Sequence, residues 1–241
     1  MAQNNERTTT KPIFMTSTSL MHQFQQSFPI IGEHYQPEAV VLCNGNYPSA
    51  TVPLQILAHA PFVCCCDDAA ENYLRHGHRP DAIIGDGDSL PQAIKEQYAD
   101  LWHQVSEQDD NDQTKATRYL MAKGFKRLCY LGATGKREDH TLGNISLMAR
   151  YTMEFGLSPV MVTDHGYFLV AHGDAIFATF PSQQVSIFNL SCTRLESLGL
   201  RWPSFPYQQL WQGTLNEATG HEICFKADGT YIVYLTHLPK V

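Results

Sequence analysis

The sequence predicts an α/β fold in which a mostly parallel sheet, covered by helices on both faces, is followed by an all-β sandwich. Three apolar runs near the N-terminal side lack polar alternation, and a helix-compatible stretch follows the first two. Strands buried on both faces of a parallel sheet have this pattern. After His165 the pattern changes to short β-prone runs separated by Gly, Pro, Ser and Asn, which is typical of an antiparallel sandwich.

The elements of the N-terminal part follow from this pattern. Strands are predicted at residues 39–43, 61–66, 81–84, 128–131 and 160–163, and helices at about 54–60, 69–75, 111–123 and 139–155. Asp110 or Asn111 can cap the third of these helices, and Gly124 and Gly156 are placed to end the third and the fourth. The result is a three-layer α/β/α arrangement.

The C-terminal part is predicted to hold β-strands at residues 167–170, 175–180, 185–190, 223–225 and 231–234. Asp228-Gly229, between the last two, has the composition of a hairpin turn. We therefore expect a partly mobile N-terminal extension at 1–36, an α/β domain at 37–165 and a sandwich at 166–241. A sandwich of that size is marginally stable alone, so we expect it to pack on a partner subunit.

Composition excludes several classes of function. The formal net charge is −7 and the chain has no block of Lys or Arg, so long nucleic acids are not expected as partners. No apolar run approaches the length of about 18 residues that a membrane span needs, and residues 1–18 lack the apolar core of a secretory signal. Cys64, Cys65 and Cys66 are consecutive, which suits buried thiols better than zinc ligands and indicates a reducing cytoplasm.

The first motif with chemical content is Gly85-Asp86-Gly87-Asp88-Ser89, directly after a predicted strand. In extended backbone, Asp86 and Asp88 would point to the same side roughly 7 Å apart. Two carboxylates at that spacing suit Mg²⁺ held together with substrate phosphates. Taken alone, the segment is better explained as a solvent-exposed acidic turn.

The second motif lies at the start of the predicted helix 111–123. Asp112 and Lys115 share one face of that helix, so the carboxylate can hold a metal while the ammonium contacts a phosphate oxygen. Acidic residues in a first turn also stabilise a helix through its dipole, and capping alone would explain the pattern.

The third motif is the run from Gly132 to His140, between a predicted strand and a helix. It is not a P-loop. Only two residues separate Gly132 from Gly135-Lys136, where a P-loop has four, and Arg137 stands where a P-loop has Ser or Thr. A glycine-containing turn with two cations at a helix N-terminus is still a good phosphate site. A histidine such as His140, taken singly, is more often packed or capping than catalytic.

These three motifs, in this order, are followed by Leu198-Gly199-Leu200-Arg201-Trp202 and Gly213-Thr214-Leu215-Asn216-Glu217. The series resembles the thiamine pyrophosphokinase family over about residues 38–220. The resemblance implies an α/β nucleotide-binding domain joined to a β-sandwich, a homodimer, and transfer of a pyrophosphoryl group from ATP to the hydroxyl of thiamine with release of AMP.

The resemblance also implies roles for individual residues. Asp86, Asp88 and Asp112 would hold Mg²⁺ and the ATP phosphates, and either Asp88 or Asp112 would accept the hydroxyl proton. Lys115 and Arg137 would neutralise the charge that develops during transfer. Further nucleotide-binding positions implied in the same way are Asp67, Asn72, Ser89, Gly132, Thr134, Gly135, Asp139 and His140.

For thiamine, the resemblance implies stacking on Trp202 and a hydrogen bond from Asn216 to the aminopyrimidine, with Thr214 nearby and the site completed at the subunit interface. A tryptophan in the sandwich core is the simpler interpretation of Trp202. A different heterocyclic alcohol, such as a hydroxymethylpterin, remains an alternative acceptor. A non-catalytic nucleotide-binding protein is the second alternative.

The chain departs from the family pattern at four places. Residues 67–72 read D-D-A-A-E-N where the family usually has D-G-G-A-x-N, which adds the carboxylate of Asp68. Gly87 replaces a bulky residue, Asn111 replaces a threonine, and residues 214–216 replace a serine-rich run.

Overall fold

The structure is a computed structural model that describes residues 26–88 and 90–240. Residues 1–25 of the predicted N-terminal extension therefore lie outside the described residues, as does Ser89. The helices are α1 Thr51–Ala58, α2 Ala69–Arg75, α3 Gln92–Gln97, α4 Asp112–Ala122 and α5 Glu138–Met153, with a 3₁₀ turn at Leu210–Gly213. The strands are β1 Gln26–Phe28, β2 Ala39–Leu42, β3 Val63–Cys66, β4 Ala82–Gly85, β5 Trp102–Gln104, β6 Leu128–Leu131, β7 Val160–Val162, β8 Gly166–His172, β9 Ala175–Ala178, β10 Gln183–Asn189, β11 Leu195–Leu198, β12 Asn216–Glu217, β13 Glu222–Ala227 and β14 Thr230–Pro239.

Six strands form the parallel part of the larger sheet, in the order β5-β4-β3-β2-β6-β7. Alternate residues of β2 enter two separate cores. Val40 lies in the cluster that includes apolar residues of α1 and α2, whereas Val41 lies in the cluster that includes residues of α4 and α5. Both faces of the sheet are thus covered. This confirms the predicted three-layer arrangement and explains why the strands lack polar alternation.

The larger sheet continues without a break into the C-terminal part. β8 pairs antiparallel with β7, and β14, β10 and β12 follow, so that the sheet has ten strands. A second sheet, ordered β1-β9-β13-β11, packs against this extension. Within the second sheet, Phe177 meets Phe225 edge to face with ring centroids 5.6 Å apart. Between the two sheets, the rings of Phe225 and Tyr231 lie 5.2 Å apart. The predicted all-β sandwich is confirmed, while the domain boundaries stay a prediction.

The predicted hairpin turn at Asp228-Gly229 is wrong, because the two strands that it joins, β13 and β14, belong to different sheets. The carboxylate of Asp228 instead accepts hydrogen bonds from the neighbouring loop between β10 and β11, from the backbone N–H groups of Thr193 at 2.9 Å and Arg194 at 2.8 Å. These bonds link the two loops that cross between the sheets, β10 to β11 and β13 to β14.

The predicted free thiols are confirmed. All seven cysteines are free, and every one except Cys224 is buried. Burial raises the pKa of the Cys64 and Cys65 thiols, which keeps them protonated. Within the part of the chain that the structure describes, no helix is both long enough and apolar enough to span a bilayer.

Candidate active site

The loops that follow β2, β3, β4 and β6 meet at the carboxyl edge of the parallel strands, where the N-termini of α4 and α5 also arrive. Open α/β sheets bind ligands at this edge. A cleft of about 340 Å³ opens there. Polar side chains from several of these segments line it, among them Asn44, Asp68, Asp112, Thr134, Lys136 and Arg137.

Lys115 of the second motif lies between Asp86 of the first motif and Asp112 of its own. Its side chain is only 2% exposed, and its Nζ atom is 3.5 Å from Oδ2 of Asp86 and 3.4 Å from Oδ1 of Asp112. Burial raises the pKa of Asp112 despite the nearby ammonium, and the negative charges of Asp86 and Asp67 raise it further. Burial opposes the charge of Lys115, but the two carboxylates outweigh it and raise its pKa. The structure thus brings Asp86, Asp112 and Lys115 together as one charged cluster.

The predicted extended geometry of Asp86 and Asp88 is wrong. Gly87 has a φ of +87°, so the chain turns, and the backbone N–H of Asp88 donates to Oδ1 of Asp86 at 3.1 Å. This bond and the donors Gln108 and Lys115 lower the pKa of Asp86. Asp88 is exposed.

The turn also explains why glycine stands at position 87 in place of the family's bulky residue. A Cβ atom there would lie 2.9 Å from Cζ2 of Trp102 and 3.1 Å from Nζ of Lys95. The positive φ is itself unfavourable for other residues. Glycine is therefore required by the neighbours of this loop.

Asn111 positions the N-terminus of α4. Its Oδ1 accepts hydrogen bonds from the backbone N–H and the hydroxyl of Thr114, both at 3.0 Å, which confirms it as the cap. Its Nδ2 donates to Oδ1 of Asn144 at 3.0 Å, and Nδ2 of Asn144 donates to the carbonyl of Ala133 at 2.8 Å. The chain of bonds ties the start of α4 to the loop after β6. Asn144 was not among the predicted site residues, because a single Asn inside a helix carries no distinctive sequence signal.

The glycine-containing third motif forms one wall of the cleft. Thr134, Arg137 and His140 line it, while Gly132 and Gly135 face a smaller adjoining cavity of about 180 Å³. The backbone N–H of Asn46 donates to the carbonyl of Thr134 at 2.8 Å, so this wall is held against the loop after β2.

Arg137 does not point freely into the cleft. Its Nη2 atom is 2.5 Å from Oδ2 of Asp139, and both side chains are exposed. The guanidinium hydrogen bond holds the pKa of Asp139 at about 2. Arg137, which is predicted to neutralise charge during transfer, is thus paired with Asp139, which is predicted to bind the nucleotide.

The remaining predicted nucleotide-binding residues are spread over the edge. Asp67 is buried and lines the cleft, with its backbone N–H donating to the carbonyl of Ile84 at 2.8 Å. Asn72 lies within α2, and its carbonyl accepts from the ring Nδ1 of His76 at 2.8 Å. Ser89 lies outside the described residues.

The predicted thiamine residues lie in the sandwich. Trp202 is 51% exposed, so its interpretation as a core tryptophan is wrong. Nδ2 of the buried Asn216 donates to the carbonyl of Trp202 at 2.7 Å, and its Oδ1 accepts the Trp202 N–H at 3.2 Å. The Thr214 hydroxyl donates to the carbonyl of Trp211 at 2.7 Å. Asn216 therefore fixes the loop that carries the exposed indole.

Asp86 and Asp112 have carboxylate oxygens of the kind that Mg²⁺ prefers as ligands. Oxygen atoms of Asp86 and Asp112 already lie within 3.5 Å of one ammonium nitrogen. Across residues 26–88 and 90–240, no group of three or more His, Cys, Asp or Glu side chains is arranged to hold a metal by itself. Mg²⁺ that is shared with a phosphate-bearing ligand needs only one or two carboxylates from the protein, which Asp86 and Asp112 could supply.

The fold and the site define a class of protein in which an α/β unit with a charged cleft at its carboxyl edge is joined to a β-sandwich. Two family models match the chain: thiamin pyrophosphokinase, catalytic domain, at residues 54–157, and thiamin pyrophosphokinase, substrate-binding domain, at residues 166–234. Together they match well over half of the chain. The chain belongs to the thiamin pyrophosphokinase family.

Individual relatives agree with this assignment. The chain is 32% identical over 89 residues to thiamine pyrophosphokinase 1 of Oryza sativa subsp. japonica, which is 33% of this chain and 34% of the relative. It is 28% identical over 138 residues to thiamine pyrophosphokinase 1 of Arabidopsis thaliana, 47% of this chain and 51% of the relative. The matches thus span between about a third and a half of these curated relatives.

Solved structures extend the likeness to nearly the whole fold. The yeast thiamin pyrophosphokinase superposes with a TM-score of 0.72 at 15% identity, over 98% of this chain and 96% of that one. The thiamin pyrophosphokinase from Candida albicans gives 0.71 at 14% identity, over 88% and 92%. At these identities the superpositions establish a shared architecture.

Proposed function

We propose that the chain transfers a pyrophosphoryl group from ATP to the hydroxyl of thiamine, giving thiamine diphosphate and AMP. The observation that carries the proposal is the buried Lys115 between Asp86 and Asp112, inside the segment that matches the catalytic domain. Membership of the family indicates thiamine as the acceptor. The charged cluster can stabilise the charge that develops during phosphoryl transfer.

In this reaction the thiamine hydroxyl oxygen attacks the β-phosphorus of ATP, and the bond from that phosphorus to the oxygen bridging to the α-phosphate breaks. AMP leaves with the bridging oxygen. The hydroxyl proton passes to a carboxylate, for which Asp88 and Asp112 are the two candidates. Because positioning dominates such transfers, the cluster acts mainly by orienting phosphates and compensating charge.

Asp86, Asp88 and Asp112 would hold Mg²⁺. When bound, the ion neutralises charge on the phosphate oxygens. Lys115 would hold Asp86 and Asp112 in place, and Arg137 would be available to phosphate once it exchanges its bond with Asp139. The cleft-lining Asp67, Thr134 and His140, together with the neighbouring glycines, would bind the nucleotide.

The thiamine site would form at an interface between two copies of the chain. Several large apolar side chains between residues 198 and 215 are at least about half exposed: Leu198, Trp202, Phe205, Leu210, Trp211 and Leu215. Exposed apolar side chains in such numbers within one short stretch mark an interaction surface. A second copy would cover them and place its own groups near Trp202.

The subunit arrangement is testable by light scattering coupled to size exclusion. Replacing Trp211 and Leu215 together by serine should convert a dimer into monomers and raise KM for thiamine. Leu238→Ser is the matched control, because Leu238 is 74% exposed but lies at the end of β14. A wild-type monomer would contradict the homodimer.

The chain is proposed to work in the cytoplasm. Its seven free thiols, six of them buried, are consistent with a reducing compartment. Fractionation of cells followed by detection of the native chain tests this location, and recovery in a membrane or secreted fraction would contradict it.

The activity test is AMP release from ATP and Mg²⁺ with thiamine, with a hydroxymethylpterin, or with no acceptor. We expect AMP only with thiamine. Asp86→Asn should reduce it at least 100-fold, because the cluster loses one of its charges. Asp109→Asn is the control, since Asp109 is an exposed aspartate of the same acidic stretch. AMP release with the hydroxymethylpterin would show that the acceptor is a pterin rather than thiamine. ATP binding without AMP release under any condition would support the non-catalytic alternative.

A further inference from the structure

Three side chains that line the cleft form a polar bridge, which we call the Asp68–Asn44–Lys136 bridge. Nδ2 of Asn44 donates to Oδ2 of Asp68 at 3.1 Å, and Nζ of Lys136 donates to Oδ1 of Asn44 at 2.9 Å. The three residues come from the loops after β3, β2 and β6, and all of them line the cleft. The bridge therefore joins three neighbouring loops of the sheet edge within the lining of the cleft.

Lys136 differs from its neighbour Arg137 in what it contacts. The Arg137 guanidinium is bound to Asp139, whereas Lys136 forms no salt bridge with any of the described residues. A lysine ammonium has three donor hydrogens, and Asn44 takes one of them. The cation that can meet an anion in the cleft without breaking an ion pair is thus Lys136.

Asp68 determines which way the Asn44 amide faces. A carboxylate accepts hydrogen bonds only, so Asp68 requires the NH₂ group of Asn44 on its side, and this directs the amide oxygen at Lys136. Asp68 directly precedes α2, yet its side chain makes no cap hydrogen bond to that helix. Its bond to Asn44 is therefore not explained by helix capping.

We propose that Lys136 binds a phosphate group of the nucleotide, and that Asp68 is a positioning residue which holds Lys136 in place through Asn44. The inference rests on the proposed function for the identity of the ligand, a nucleoside phosphate. It assigns a use to the carboxylate that this chain has at position 68, where the family pattern has glycine.

The test is calorimetric titration of ATP, AMP and adenosine into the purified full chain, which requires no turnover. Lys136→Ala should weaken ATP binding about 10- to 100-fold, as expected for a lost charge-assisted hydrogen bond, and leave adenosine binding unchanged. Lys126→Ala is the control, because Lys126 is also an exposed lysine but lies outside the cleft-lining set.

Three further variants distinguish the role of Asp68 from that of Lys136. Asp68→Ala should weaken ATP binding several-fold, whereas Asp68→Asn should stay near the wild type because an amide oxygen still accepts from Asn44. The double variant of Lys136→Ala with Asp68→Ala should bind no more weakly than Lys136→Ala alone, since the residues act in series.

Defined outcomes overturn the inference. ATP binding by Lys136→Ala at wild-type strength, or an equal loss for adenosine, would refute phosphate binding by Lys136. Tighter ATP binding by both Asp68 variants would show that Asp68 repels the phosphates, and additive losses in the double variant would show that it acts independently of Lys136. Wild-type ATP binding without thiamine-dependent AMP would refute the proposed function alone.

Discussion

The backbone N–H of Gly45 donates to the carbonyl oxygen of Gly132 at 2.5 Å, so the loops after β2 and β6 meet main chain against main chain. A Cβ atom on Gly45 would lie 2.3 Å from that oxygen and 2.2 Å from the carbonyl oxygen of Thr134. Neither backbone oxygen can move without shifting the wall of the cleft. The shape of the cleft therefore depends on position 45 being a glycine, which has no side chain.

Gly45→Ala should destabilise the fold by about 1–3 kcal/mol through overpacking and weaken ATP binding at least 10-fold, because the wall that carries Thr134 must shift. Thermal unfolding and calorimetric titration measure the two effects. Gly143→Ala is the control: no atom lies within 4 Å of a Cβ there, and the position is inside α5. This control should stabilise the chain by up to about 1 kcal/mol. Equal melting temperatures for Gly45→Ala and the wild type would contradict the close packing.

Lys115→Met should remove the cation that Asp86 and Asp112 share. We expect AMP formation to fall at least 100-fold and stability to decrease by about 1–3 kcal/mol, since the partly buried carboxylates lose their donor. Rates and urea unfolding are the measurements, with Lys126→Met as the control. Full activity of Lys115→Met would exclude a catalytic contribution of the cluster's cation.

Asn111→Ala should cost about 1 kcal/mol of stability through loss of the helix cap, which corresponds to about 2–4 °C in Tm. It should also raise KM for ATP, because the link from α4 to Asn144 is lost. Asn111→Thr keeps a cap oxygen but lacks the separate amide nitrogen that donates to Asn144. It should therefore retain most of the stability but show the higher KM, and an unchanged KM would place the link outside the nucleotide site.

Asp228 should make stability depend on pH in the acid range. The hydroxyl of Thr193 and the backbone N–H of Arg194 hold the pKa of Asp228 at about 2, below its ordinary value of 3.8. The bonds therefore contribute stability above about pH 4 that is lost as the pH falls towards 2. The Tm difference between the wild type and Asp228→Asn should be largest near neutral pH and shrink over this interval. A constant difference would contradict the assignment.

Much of the architecture follows from the sequence because the parallel strands are short and apolar on both faces. All four residues of β3 are buried, including three cysteines, and this leaves no polar alternation to interpret. The charged residues after these strands were predictable for a related reason, since parallel strands end at one edge. The clustering of Asp86, Asp112 and Lys115 is the direct result.

The structural features that could not be predicted from the sequence depend on contacts between residues far apart in the chain. β1 pairs with β9, almost 150 residues further along the chain, and three residues carry no strand signal by themselves. The turn at Gly87 depends on Trp102 and Lys95, and Asp228 was misinterpreted because its partners lie about 35 residues earlier. Asn44 looked like an ordinary turn residue, although its place after a buried strand put it at the same edge as the aspartates.

The continuous ten-stranded sheet determines how the molecule unfolds. The ladder between β7 and β8 carries main-chain hydrogen bonds directly from the catalytic half into the sandwich. Separating the halves would expose two unpaired strand edges, which are prone to aggregation. Both halves should therefore melt in a single cooperative transition, and amide hydrogens of β7 and β8 should exchange with solvent only through global unfolding.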